Sequence, residues 1–226
     1  MNPRICVSII PKTVKEAQQL IDKAEEASAD LIEVRLDTFR EFEHLAEVAS
    51  LGKTPKIATL KPLDQGGKFT GTEIQQRQII VNAAESGFAY VDIDLEATNP
   101  RKFITETRER GAKIIVSSHN FKTTPESSEL THILDKEIRY DADVCKIVTT
   151  ANDIEDNLTL LNFLSANSNK ARVVCFGMGE KGKLSRLLSP MFGSYFTFAS
   201  LERGTETASG QMTINEMRAS YKLLEF

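Results

Sequence analysis

The chain has 226 residues, 41% of them hydrophobic, which is enough for one well-buried core and cramped for two. Its 28 Lys+Arg against 32 Asp+Glu leave a net charge of -4, and no basic block is present to follow a phosphate backbone, so no nucleic-acid partner is expected. No apolar run nears the roughly 18 residues that a bilayer span requires, and MNPRICVSII lacks the long apolar region and cleavage site of a signal peptide; a cytoplasmic protein with no membrane partner is expected.

In chain order, short runs rich in β-branched residues predict strands at 5–10 (ICVSII), 31–37 (LIEVRLD), 56–61 (KIATLK) and 90–96 (YVDIDLE). Four more follow at 113–119 (KIIVSSH), 144–150 (VCKIVTT), 172–178 (RVVCFGM) and 195–201 (YFTFASL). Segments with apolar residues at helical spacing lie between them, as at 14–27, 73–86 and 156–167. Eight βα units at about 28 residues each predict a compact (β/α)₈ barrel, one domain over 1–226. The rival is an open doubly wound sheet. It would carry a glycine-rich turn after its first strand, where this chain reads PKTVKE. Cys6, Cys145 and Cys175 each sit in an apolar strand-like run without CxxC spacing, and are expected to be reduced core thiols.

Function in such a barrel collects at the C-terminal ends of the strands, where residues two apart share a face. Glu33 and Arg35 share one on the second strand, Asp92, Asp94 and Glu96 on the fourth, and Ser117 and His119 on the fifth. Lys146 stands alone among apolar neighbours on the sixth. Each has an ordinary explanation, as an ion pair, a strand-end histidine or a snorkelling lysine. Their convergence on one end of one barrel points to a site. A lysine in an apolar strand near another cation is expected to have its pKa pushed down, so that its free amine attacks a carbonyl to form an imine. His119 can move protons at neutral pH, with Asp94 or Glu96 holding its tautomer. The glycine-rich stretch GMGEKGKLSRLLSP offers backbone N–H groups and Arg186 to an anion, phosphate or carboxylate.

The ordered set EVRLD, LKPLDQGG, DIDLE, SSHNF, CKIV, GKLSRL and SGQM resembles type I 3-dehydroquinate dehydratase across essentially the whole chain. The resemblance implies syn elimination of water from 3-dehydroquinate to 3-dehydroshikimate, the third step of the shikimate pathway of aromatic amino acid biosynthesis, by a homodimer needing no cofactor and no metal. It implies Lys146 as the Schiff-base lysine and His119 as the proton carrier. It further implies Ser8, Glu33 and Arg35 at the substrate hydroxyls, Arg186 at the carboxylate, Thr207 and Gln211 in a closing loop, and Asp94 orienting His119.

The family's usual arginine and glutamate after the third strand are here Lys61 and Gln65. Lys61 keeps the charge without the planar fork, and Gln65 cannot ionise, so any relay help the glutamate gives to His119 is absent here or falls to Asp64 or Glu96. Ser209 replaces a common proline, which predicts a looser loop. The alternatives are a Schiff-base aldolase, which would not predict EVR with SSH, and a catalytically silent barrel, against which the presence of Lys146, His119, Glu33, Arg35 and Arg186 stands.

Overall fold

Ile5–Ile9 forms β1 with every residue buried, and its alternation sets the pattern for the molecule: Ile5, Val7 and Ile9 pack among the helices while Cys6 and Ser8 face inward. The computed structural model describes residues 3–225, so the ends of the expected domain, residues 1, 2 and 226, lie outside the described residues. Seven further strands follow: β2 Leu31–Arg35, β3 Lys56–Thr59, β4 Tyr90–Asp94, β5 Lys113–His119, β6 Val144–Thr150, β7 Val173–Met178 and β8 Thr197–Ser200.

All neighbours pair in parallel in the order β7-β6-β5-β4-β3-β2-β1-β8, and the seam between β7 and β8 is bridged by the Tyr195 N–H donating to the Val173 carbonyl at 2.7 Å. The result is the expected (β/α)₈ architecture as a nearly closed barrel. Strands β2, β3, β4 and β8 end earlier than their apolar patterns, because the chain turns at once into loops; Leu36–Thr38 and Leu63–Gln65 are each one tight helical turn.

Eight helices cover the barrel: α1 Val14–Glu26, α2 Leu45–Ser50, α3 Glu73–Glu85, α4 Pro100–Arg108, α5 Ser127–Arg139, α6 Glu155–Asn167, α7 Lys183–Leu188 and α8 Ile214–Leu223. Their starts are written locally. Thr13 caps α1 through the Glu16 N–H, and Thr72 with Gln75, and Thr213 with Glu216, form reciprocal capping boxes at α3 and α8. In α6 the residues Leu160, Leu161, Phe163 and Leu164 are buried, so its apolar stripe is core packing within the protomer. The three cysteines are free and buried, as expected. No helix among the described residues is long and apolar enough to cross a membrane.

The barrel interior is layered. Its lower part is apolar, with Cys6, Leu31, Ile57, Tyr90, Ile115, Val144, Val174 and Phe196 in one cluster. One step further along the inward faces the side chains become Ser8, Glu33, Thr59, Asp92, Ser117 and Lys146 on β1 to β6, while β7 and β8 supply Phe176 and Phe198. The upper layer therefore has a polar half and an aromatic half.

Candidate active site

Parallel register brings the polar half together. Ser8 pairs across from Glu33, Arg35 from Thr59, Asp94 from Ser117, and Ser117 from Lys146. Lys146 Nζ lies 2.9 Å from Asp92 Oδ2 and 3.6 Å from Glu33 Oε1. Lys61 Nζ lies 2.8 Å from the other Asp92 oxygen and donates to Ser117 Oγ at 2.9 Å, and Ser117 in turn donates to Asp92 at 2.7 Å. Asp92 thus joins two ammonium groups. Glu33 is held from both sides by Ser8 Oγ (2.6 Å) and Thr59 Oγ1 (3.0 Å), and Arg35 is clamped by Asp37 through Nε (2.7 Å) and Nη2 (3.1 Å).

This arrangement corrects the expected sign for Lys146. Burial does act to lower its pKa, but Asp92 and Glu33 outweigh burial, and the ammonium is favoured. Burial would likewise raise Asp92, yet Lys146 and Lys61 hold its carboxyl far below the usual carboxylate range. His119 is pushed well below its ordinary value by burial, then by Lys61 and Lys146, so its imidazole is neutral at neutral pH. Its ring stacks on Phe121, with centroids 5.9 Å apart, and its buried Nδ1 has no hydrogen-bond partner among the described residues.

Neither carboxylate expected to orient His119 does so. Asp94 Oδ1 accepts the Glu96 N–H at 2.9 Å and Oδ2 faces Lys61 at 3.7 Å, while Glu96 is exposed. Both line a neighbouring cleft with Asp64, on the far side of Lys61. The reason is reach: the Lys61 ammonium contacts Asp92 and Asp94 on β4 and Ser117 on β5, and so takes up the acidic groups there. Gln65 does line the cavity, and its buried Oε1 is likewise unpartnered among the described residues.

The cavity above these groups encloses about 540 Å³ including its open mouth, and Ser8, Glu33, Arg35, Lys61, Gln65, His119, Lys146, Arg186, Thr207 and Gln211 all line it. Thr59 and Asp37 carry no expectation from the sequence, and Asp92, placed there on the shared face of the fourth strand, carries no assigned role. For Asp92 the available signal was an acid at an inward position in mid-strand, since such a residue requires a partner.

Arg186 is 1% exposed, its guanidinium lies 4.2 Å from the centroid of Phe176, and its Nε and Nη2 have no partner among the described residues. Burial pushes it down to about 9, with Glu33 opposing, so it remains a cation at neutral pH. An unpaired guanidinium in an aromatic wall is a site for a planar anion. Thr207 and Gln211 brace each other, the Gln211 Oε1 accepting the Thr207 N–H at 2.7 Å and Gln211 Nε2 donating to Thr207 Oγ1 at 3.1 Å. The loop carrying them rests on the β7–α7 loop: the Gly179 N–H donates to the Ser209 carbonyl at 3.1 Å, and a Cβ at Gly210 (φ +78) would stand 2.1 Å from the Gly179 oxygen. Ser209 therefore takes part in seating the loop through its backbone.

The family model of type I 3-dehydroquinase matches residues 5–225. The chain is 36% identical over 223 residues to the 3-dehydroquinate dehydratase of Coxiella burnetii, covering 98% of this chain and 93% of that protein. It is 36% identical over 224 residues to the enzyme of the same name from Dehalococcoides mccartyi, covering 99% and 97%. Among solved structures, the 3-dehydroquinate dehydratase of Geobacillus kaustophilus superposes with a TM-score of 0.89 at 26% identity, covering 100% of this chain and 92% of that one.

Proposed function

The chain belongs to the type I 3-dehydroquinase family, hydro-lyases that act as 3-dehydroquinate dehydratases, and from that premise we propose that it eliminates water through an imine on Lys146 with His119 carrying the protons. The observation that carries this reading is the convergence of the Lys146 amine, the neutral His119 imidazole and the unpaired Arg186 guanidinium on a single cavity.

Arg186 binds the substrate carboxylate, while Glu33, Arg35 and Ser8 take its hydroxyls. Lys146 begins as an ammonium on Asp92, so it must lose a proton before it attacks. Neutral His119, in the same cavity, receives that proton. The amine adds to the C3 ketone, and His119 returns the proton to the carbinolamine hydroxyl, which leaves as water to give the iminium. The iminium draws electrons from the adjacent carbon, and His119 takes the C2 proton to leave an enamine. Collapse of the enamine expels the C1 hydroxyl, which His119 protonates, so the second water leaves from the same face. Water then hydrolyses the conjugated iminium and frees Lys146. Asp92 and Glu33 stabilise each positively charged nitrogen on this path, at the cost of a lower free-amine fraction at the start.

We place this step in the shikimate pathway, in the cytoplasm, and read the protein as a homodimer on the family resemblance. The test is to mix the protein with 3-dehydroquinate and borohydride, digest it, and locate the reduced adduct by mass spectrometry. An adduct on the Lys146 peptide is expected. Turnover without any trapped adduct would refute the imine.

A further inference from the structure

We infer that Asn157, on the first turn of α6 and outside the cavity, is a positioning residue that aims Arg186 at the substrate carboxylate; this rests on the carboxylate role proposed above for Arg186. Asn157 is fully buried beside Leu160 and Leu161, in surroundings where an apolar side chain would pack without a desolvation penalty. Its amide is nevertheless satisfied at every hydrogen. Nδ2 donates to the carbonyls of Ile154 (2.9 Å) and Lys181 (2.8 Å), and Oδ1 accepts the N–H of Ser185 at 2.8 Å. One side chain thereby ties the β6–α6 loop to the β7–α7 loop and to the residue directly before Arg186.

The clamp continues through Ser185. Its Oγ accepts the Gly177 N–H at 3.0 Å and donates to the Gly182 carbonyl at 3.0 Å. At Gly182 a Cβ would lie 2.5 Å from the Gly177 oxygen, so the start of α7 presses backbone to backbone against the end of β7. Helix α7 has only six residues, too few to hold its own direction by internal hydrogen bonds. Its far side is fixed by Thr197 Oγ1, which donates to the Arg186 carbonyl at 2.7 Å. The Arg186 backbone is therefore set by Asn157 through Ser185 on one side and by β8 on the other, while the guanidinium itself stacks on Phe176. A small rotation of α7 would swing the end of this long side chain by more than a hydrogen bond tolerates.

The experiment is a double-mutant cycle on steady-state kinetics with 3-dehydroquinate. Asn157→Leu is expected to raise KM about ten-fold, roughly the loss of one charge-assisted hydrogen bond, with kcat within about two-fold. In an Arg186→Ala background the same substitution should change KM by less than about two-fold, because the group it aims is gone. Asn157→Ser, too short to span both loops, serves if the leucine variant does not fold, and should show the same split. If Arg186→Ala raises KM but Asn157 variants that fold do not, or if they lower kcat equally in both backgrounds, the positioning role is overturned. If Arg186→Ala leaves KM unchanged, the carboxylate assignment itself fails and the inference falls with it.

Discussion

Asp92 is the residue on which the electrostatics of the site turn, and Asp92→Asn tests the account directly. The carboxyl is fully buried and lies 2.8 Å from Lys61 and 2.9 Å from Lys146. An amide of the same shape keeps one acceptor but removes the charge that both ammonium groups share. Removing one partner of a buried ion pair costs about 3–5 kcal/mol, and here two cations lose their nearest carboxylate and keep Asp94 and Glu33 at 3.7 and 3.6 Å. Unfolding by urea at pH 7 should show a loss of that size. Because Asp92 is held far below the usual carboxylate range, the stability it supplies is present above the unfolded-state value of about 3.9 and is lost as pH falls through the folded one, so the two proteins should converge in acid. The functional consequence has the opposite sign. With Asp92 neutral, burial acts on Lys146 with Glu33 as the carboxylate left beside it, and the free amine becomes available at lower pH. An ion pair about 4 Å apart is worth about 4 kcal/mol at an effective dielectric of about 20, so borohydride trapping at pH 7 should rise about ten-fold or more. The assay is adduct formation on Lys146 against pH. A trapping midpoint that stays in place or moves up in the folded variant would show that Asp92 does not govern the lysine.

Two further outcomes are expected. Glu137 on α5 is fully buried with both oxygens unpartnered among the described residues, and burial, then Asp92, push its carboxyl well above the usual range. Its folded-state value lies above the unfolded one, so its contribution is intact below the unfolded pKa and is lost as pH rises through the folded value. Glu137→Gln should therefore gain stability over the parent by about 1.4 kcal/mol per pH unit across that window, and a difference that stays flat from pH 5 to 8 in urea unfolding would contradict a buried neutral acid. Gln65→Glu places a carboxylate in the cavity that holds His119, so the acid limb of the kcat/KM profile should move to higher pH while KM changes by less than about two-fold; an unaltered profile would remove position 65 from the proton relay.

The sequence by itself determined the barrel and the direction of its inward side chains. Period-two alternation puts Glu33 with Arg35, and Ser117 with His119, on inward faces, and it turns Lys146 inward between Cys145 and Ile147 wherever the strand sits in the sheet. Caps such as Thr13, Thr72 and Thr213 fix helix starts from neighbours three residues away. What only the tertiary structure decided is which long side chains meet. Lys61 reaches Asp92 and Asp94 from a loop beyond β3, which leaves Asp94 facing a lysine in place of His119 and turns two lysines into partners of one acid. The sign of the Lys146 shift followed from that meeting: burial acts on every inward lysine, but a counter-charge 2.9 Å away depends on strand register and barrel tilt. Asn157 reads as one polar residue in the first turn of α6 until the β7–α7 segment is folded against it. Alternation is a property of neighbours along the chain, whereas charge pairing and hydrogen-bond closure act through distances of a few ångströms that only the closed barrel sets.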